Sequence, residues 1–278
     1  MTETIRSTEI NEDKMHAFMG KVVGDFGASL STILGYIGHK LGLYKALADS
    51  DGLTPAELAA KTNTTERYVR EWLINQACGE YVHYDPQTGK YSMLPEQAVA
   101  LTDEESPFYV GGGFYVIKAM LNAQPRIAEA FENGGGILWG EHDSDLFVGT
   151  EKFFRPGYTA HLVGEWIPAL AGVKEKLEAG AKVADVGCGH GASTIIMAKA
   201  FPNSQFFGFD NHQASIATAR TKAEAAGLAG RVHFAVSNAG EIPLDGYDLI
   251  CFFDCLHDMG DPHGAAQRAR QALAAGGS

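Results

Sequence analysis

Three observations in the sequence predict an α/β fold with a parallel sheet in the second half of the chain, preceded by a mainly helical first half. From residue 181 onward, short apolar runs alternate with segments of helical spacing. The first of these runs leads into VADVGCGHGAS at 183–193, where three glycines fall on alternate positions, a strand-turn-helix pattern. Between residues 53 and 94, two helical patterns in series are followed by an alternating stretch broken at Asp85-Pro86-Gln87-Thr88-Gly89. At 278 residues the chain accommodates two domains of roughly 100–200 residues each.

Composition narrows the function classes. With 45% hydrophobic and 20% charged residues the chain reads as an ordinary globular protein. Residues 1–14 are polar and acidic, unlike a signal peptide, and no apolar run reaches the roughly 20 residues that span a bilayer. A cytosolic protein without membrane partners is expected. Cys78, Cys188, Cys251 and Cys255 form no CxxC pair, so neither metal nor disulfide is expected. Residues 1–150 carry 11 Lys and Arg against 21 Asp and Glu, and residues 151–278 carry 11 against 13. The first half is therefore strongly acidic, which disfavours a nucleic-acid partner.

The elements follow in order. Residues 15–47 have apolar positions at helical spacing and six glycines, which cost helix stability but permit close approach of another helix, within one subunit or across a dimer. Thr54, Pro55 and Glu57 form a helix-start signature, Thr62-Asn63 breaks that helix, and residues 65–77 form the next. Helix, turn, helix and hairpin make a winged helix. Its second helix carries Glu66, Arg67, Arg70 and Glu71, and its hairpin Asp85 and Lys90, so no basic face results. Residues 107–151, with Gly111–Gly113 and Gly134–Gly136, suggest a helical connector with loops, and residues 153–170 a helix. Strands are expected at 182–185, 205–210, 232–236 and 247–253, with helices at 192–200, 213–226 and 263–274. The expected domains are 1–105 (helical dimerisation and winged helix), 106–165 (connector) and 166–278 (a Rossmann-like α/β domain).

The glycine turn alone fits several nucleotides: Gly187, Gly189 and Ala192 even satisfy a dinucleotide fingerprint formally. Asp185 weighs against a pyrophosphate, because a carboxylate two residues before the first glycine repels phosphate and favours an ammonium group. The stretch Asp185-Val186-Gly187-Cys188-Gly189-His190-Gly191 resembles motif I of class I S-adenosylmethionine-dependent methyltransferases. That resemblance implies a homologous role for Asp210, whose carboxylate would accept the ribose hydroxyls, with Asn211 beside it. It also implies an adenine contact at Asn238 and Ala239. The family often has aspartate at 238, and the asparagine oxygen here accepts the same bond.

Residues 247–262 resemble the LHDWSDE-type stretch of small-molecule O-methyltransferases, which carry an N-terminal winged helix used for dimerisation. The resemblance implies that His257 takes the proton of the acceptor hydroxyl, or else orients or packs; Met259 replaces the usual tryptophan. It further implies a backbone contact from Phe253 to the methionine part of the cofactor, and contact from Tyr158. Residues 272–277 look like the end of the helix before strand five of a seven-stranded sheet in the order 3-2-1-4-5-7-6. Strands five to seven are then missing, and strand four is left as an edge. A fragment, a partner that completes the sheet, or a short form would each explain this, and a fragment is favoured. The expected activity is methyl transfer from S-adenosylmethionine to a small molecule, at oxygen, by a homodimer. The alternatives are a non-catalytic winged-helix regulator or scaffold, and an NAD-linked oxidoreductase.

Overall fold

The structure, a computed structural model, describes residues 10–278. Residues 1–9, on which most of the reading of the polar opening stretch rests, lie outside the described residues. The chain divides into two compact units, one up to Ala98 and the other Val99–Ser278.

In the first unit, α1 (Glu12–Lys40) ends where Gly42 adopts φ 69°, and α2 (Leu43–Ala48) follows. The single helix expected to residue 47 is thus broken, because only glycine enters the left-handed region without a Cβ clash. Gly38 makes the close approach its residue type allows: a Cβ there would lie 2.5 Å from Trp72 and 2.6 Å from Tyr44. Gly20, Gly24 and Gly27 face open space instead. α3 (Pro55–Thr62) carries the expected capping box, with Thr54 and Glu57 bonding reciprocally, and Asn63 ends it at φ 53°. α4 (Glu66–Cys78) packs Val69, Trp72 and Leu73 inward, and its exposed face holds the ion pairs Arg70–Glu66 and Arg67–Glu71. β1 (His83–Asp85) and β2 (Lys90–Ser92) form the antiparallel wing. The wing turn is fixed by Asp85, which accepts from Gln87 N at 2.9 Å and from Thr88 Oγ1 at 2.6 Å.

α5 (Pro95–Thr102) leads into the second unit. There α6 (Gly112–Asn133) and α7 (Ser144–Gly157) cross at glycines: a Cβ on Gly112 would lie 2.5 Å from Phe153 N, and one on Gly149 2.7 Å from Tyr115 Cβ. Gly112 and Gly113 are helix-contact residues, contrary to the loop expected of them. α7 runs on into a π-helical segment, Tyr158–Trp166, and α8 (Val173–Ala179) precedes the sheet.

The sheet holds β3 (Lys182–Val186), β4 (Gln205–Asp210), β5 (Val232–Val236) and β6 (Leu249–Cys251), all parallel, in the order β5-β4-β3-β6. α9 (Ala192–Ala200), α10 (Gln213–Ala225) and α11 (Pro262–Ala272) connect and flank it. This is the Rossmann-like order 3-2-1-4, as expected. Val183, Phe206, Phe234 and Leu249 pack with Met197 and Ile216 in one buried cluster, and Ala184, Val186, Phe209 and Tyr247 in another. β6 is shorter than expected, and its outer edge is not bare: Ser278 N donates to Asp248 O at 3.0 Å, and Ile250 N to Ser278 O at 2.9 Å. Among the described residues no helix is long and apolar enough to cross a membrane.

Gly208 on β4 has no room for a side chain, since a Cβ would collide with the Phe234 ring and lie 2.9 Å from Cys188 Sγ. Gly208→Ala is expected to destabilise the protein by about 1–3 kcal/mol through overpacking, read as a lower urea midpoint.

Candidate functional site

The carboxyl ends of the parallel strands meet beside a cavity of about 890 Å³, the position where an open α/β sheet places its ligand. The turn after β3 shapes one wall. Gly187, Gly189 and Gly191 have φ of 76°, 52° and 80°, a run of left-handed conformations that side chains resist. At Gly187 a Cβ would lie 2.6 Å from Cys255 Sγ, and at Gly191 2.6 Å from the Phe234 ring, whereas at Gly189 it meets nothing within 4 Å. The turn's outward side is therefore open for a ligand to approach the backbone closely.

Its N–H groups are largely spoken for. Gly187 N and Cys188 N both donate to Phe209 O, at 2.7 and 3.1 Å, and Gly191 N donates to Cys188 O at 2.8 Å. Gly189 N donates to Asp210 Oδ2 at 2.9 Å. Four of the turn's amides are thus engaged within the protein. A phosphate cradle needs those amides free.

Asp185 lies beneath the turn, 1% exposed. One carboxylate oxygen accepts from Ser193 Oγ and Thr194 Oγ1, both at 2.6 Å, while the other, Oδ1, is buried without a partner. Burial raises its pKa; the two hydroxyls pull the other way without prevailing, and the Asp210 charge raises it further. Asp185 does not line the cavity itself, although its neighbours Val186 and Gly187 and its partner Ser193 do.

The remaining expected residues are gathered on the same cavity: Cys188, Asp210, Asn211, Asn238, Ala239 and Phe253 line it. Asp210 Oδ1 also accepts from His212 N at 2.8 Å. Asn238 donates its Nδ2 to Glu241 at 2.9 Å, which turns the amide into a fixed orientation. Tyr158, the first residue of the π-helical segment, lines the cavity with its ring 5.4 Å from that of Phe253, and burial raises its phenol pKa. His257 sits on the rim in an exposed 3₁₀ turn, with Nδ1 3.7 Å from Asp254 and Nε2 3.4 Å from Asp258. Asp254 itself has φ 51°, a strained conformation for a non-glycine residue.

The cavity also has a wall that the sequence reading did not foresee. α7 presents Phe147, Thr150, Glu151 and Phe154 to it, at spacings of three, one and three residues, followed by Tyr158. Phe147 stacks on His212 at 4.1 Å, and Glu151 binds His190 at 2.9 Å. The only signal in the sequence was helical spacing of aromatics, which reads as ordinary packing. Cavity-lining charges among the described residues are carboxylates, from Glu151, Asp210, Asp254, Asp258 and Asp261, and no lysine or arginine lines it.

Comparisons with known proteins agree with this architecture. Residues 177–278 match a methyltransferase domain model, and residues 28–103 match the Rv2258c-like winged HTH domain. Among curated proteins, a trans-aconitate 2-methyltransferase of Streptomyces avermitilis is 34% identical over 91 residues, 32% of this chain and 34% of that protein. The chain spans 24–35% of the length of the curated relatives it matches. An O-methyltransferase family protein from Burkholderia thailandensis superposes with a TM-score of 0.67 at 20% identity, covering 94% of this chain and 77% of that one. Human N-acetylserotonin methyltransferase, solved with S-adenosylmethionine, gives 0.68 at 16%, covering 98% and 79%. The fold is that of an S-adenosylmethionine-dependent methyltransferase with an N-terminal winged-helix domain.

The half-satisfied Asp185 carboxylate has a measurable consequence. The unfolded chain loses this proton near the model-peptide value of about 3.9 and the folded chain at a higher pH. This side chain's contribution to stability is therefore fully present below about pH 3.9 and is lost as pH rises through the folded pKa. Asp185→Asn cannot ionise, so urea unfolding from pH 4 to 7 is expected to show the variant gaining stability relative to the parent as pH rises.

Proposed function

We propose that the second unit binds S-adenosylmethionine and transfers its methyl group to a small-molecule acceptor, at an oxygen. The observation that carries this reading is the charge of the cavity: carboxylates line it, no lysine or arginine does among the described residues, and four amides of the turn beside it are engaged within the protein. Such a site repels a dinucleotide's pyrophosphate, which disfavours the NAD-linked alternative. It suits a ligand that brings an ammonium, a sulfonium and a ribose. When bound, that cofactor supplies an electrophilic methyl group on a positively charged sulfur.

The residues fit it by their chemistry. The unpartnered Asp185 oxygen favours a cation nearby, and the open side of Gly189 admits close approach. Asp210 keeps lone pairs for the ribose hydroxyls, with Asn211 next to it, and the Asn238 oxygen accepts from the adenine amino group beside Ala239. Phe253 and Tyr158 exclude water from the methionine end, near Cys188, while Gly187 and Gly191 hold the turn. His257 accepts the acceptor's proton through a ring nitrogen, with Asp254 3.7 Å and Asp258 3.4 Å from the ring.

The chain acts as a homodimer in the cytosol. α1 supports the dimer, because Val23, Phe26, Leu30 and Ile33, three and four residues apart, are all exposed along it, as an interhelical seam requires. The ion pairs on the exposed face of α4 leave no net positive charge there for DNA, which supports a structural role for the winged helix.

Calorimetry with S-adenosylhomocysteine tests the cofactor assignment. The parent is expected to bind, and Asp210→Ala to weaken binding by at least tenfold, the loss of about one charge-assisted hydrogen bond. With an acceptor found, His257→Gln is expected to lower kcat by about 10²–10⁴ and leave that binding unchanged. A folded parent that does not bind the ligand would overturn the assignment.

A further inference from the structure

The glycine turn has anchors on two sides, and only one of them belongs to the sheet. Below, Asp210 accepts from Gly189 N and Cys188 is buried against the core. Above, His190 is the one turn residue whose side chain reaches out of the sheet's layer, between Gly189 and Gly191. Its ring is 9% exposed, and Nδ1 lies 2.9 Å from Glu151 Oε2. The other oxygen of Glu151 takes the ammonium of Lys222 on α10. Glu151 itself is 15% exposed and stands on α7, the wall the sheet does not supply.

One carboxylate thus ties three elements together: the turn, α7 and α10. Burial works to raise the Glu151 pKa, but the hydrogen bonds from His190 and Lys222 outweigh it and hold the group below its usual range, so it is ionised in the folded protein. Four amide bonds hold the turn, but the backbone at His190 lies between two left-handed glycines, which restrict it least. An ionised anchor that bridges His190 and Lys222 supplies stiffness there through the side chain between those glycines.

We infer that Glu151 is a positioning residue for the cofactor: acting through His190, it holds the glycine turn in the shape that receives the ligand. This rests on the proposed S-adenosylmethionine site. It assigns to α7 a role beyond closing the cavity, and it predicts energetic coupling between two residues neither of which lies on a sheet strand.

A double-mutant cycle tests it, with S-adenosylhomocysteine affinity read by calorimetry and folding read by urea unfolding. Glu151→Ala and His190→Ala are each expected to weaken binding about tenfold, and the double variant by about the same factor, because either change alone removes the shared anchor. His190→Asn, whose amide nitrogen stands near the place of the imidazole Nδ1 and keeps a donor for Glu151, is expected to recover most of the affinity. A merely structural role would instead lower stability and leave the dissociation constants of the folded variants equal to the parent's, and that result overturns the inference. So does a double variant weakened about a hundredfold, which would mean that the two residues act independently. A parent that fails to bind removes the functional reading and this inference with it; a parent that binds alongside unaffected variants removes this inference alone.

Discussion

A carboxylate buried with one oxygen satisfied and the other not is the constraint around which the second unit is arranged. Asp185 sits at the end of the central strand β3, and two hydroxyls from the first turn of α9 reach down to it. Those bonds fix how the helix leaves the glycine turn. They leave Oδ1 without a partner at a depth where an uncompensated charge is costly. Groups of this kind persist where the surrounding fold over-determines them, and they concentrate at functional sites. The neighbours do not relieve the charge: Asp210 adds to it, and the thiol of Cys255 is pushed up to about 12 by burial and by the surrounding carboxylates.

The same electrostatics organise the cavity above. Its turn uses its amides on Phe209 and on Asp210, so the loop is a rigid contour for close approach and has little left to cradle an anion. Asp210 joins the turn to the end of β4, and α7 joins it to the opposite wall through Glu151 and His190. Rigidity that a glycine-rich turn lacks is thus imported from both sides. Fold likeness at 16–20% identity speaks to architecture alone, and the reading of function stands on this charge pattern.

Much of the sheet was legible in the sequence, because strands and helices of a parallel α/β unit carry strong, opposite periodicities and the glycine turn marks the first crossover. The capping box at Thr54 and the wing turn at Asp85 were legible for the same reason, being local side chain to backbone chemistry. The contacts of α6 and α7 were not. Gly112 looks like a loop residue, and only the crossing with Gly149 explains it. The break at Gly42 was hidden by apolar spacing that continues across it. Of the residues suggested by motif, Asp185 and Gly191 do not line the cavity that the others share, whereas Glu151 was invisible. Its partners are 39 and 71 residues away, and no local pattern encodes such a pair.

The central proposal, that the buried Asp185 carboxylate favours a cationic ligand in the neighbouring cavity, is tested most directly by the ¹³Cγ chemical shift of that residue, followed with pH by NMR. The account predicts an apparent pKa above the ordinary aspartate range in the free protein, and a downward shift when S-adenosylhomocysteine, which retains the ammonium group, is bound. An Asp185 that titrates at an ordinary value, or whose titration is the same with saturating ligand, contradicts it.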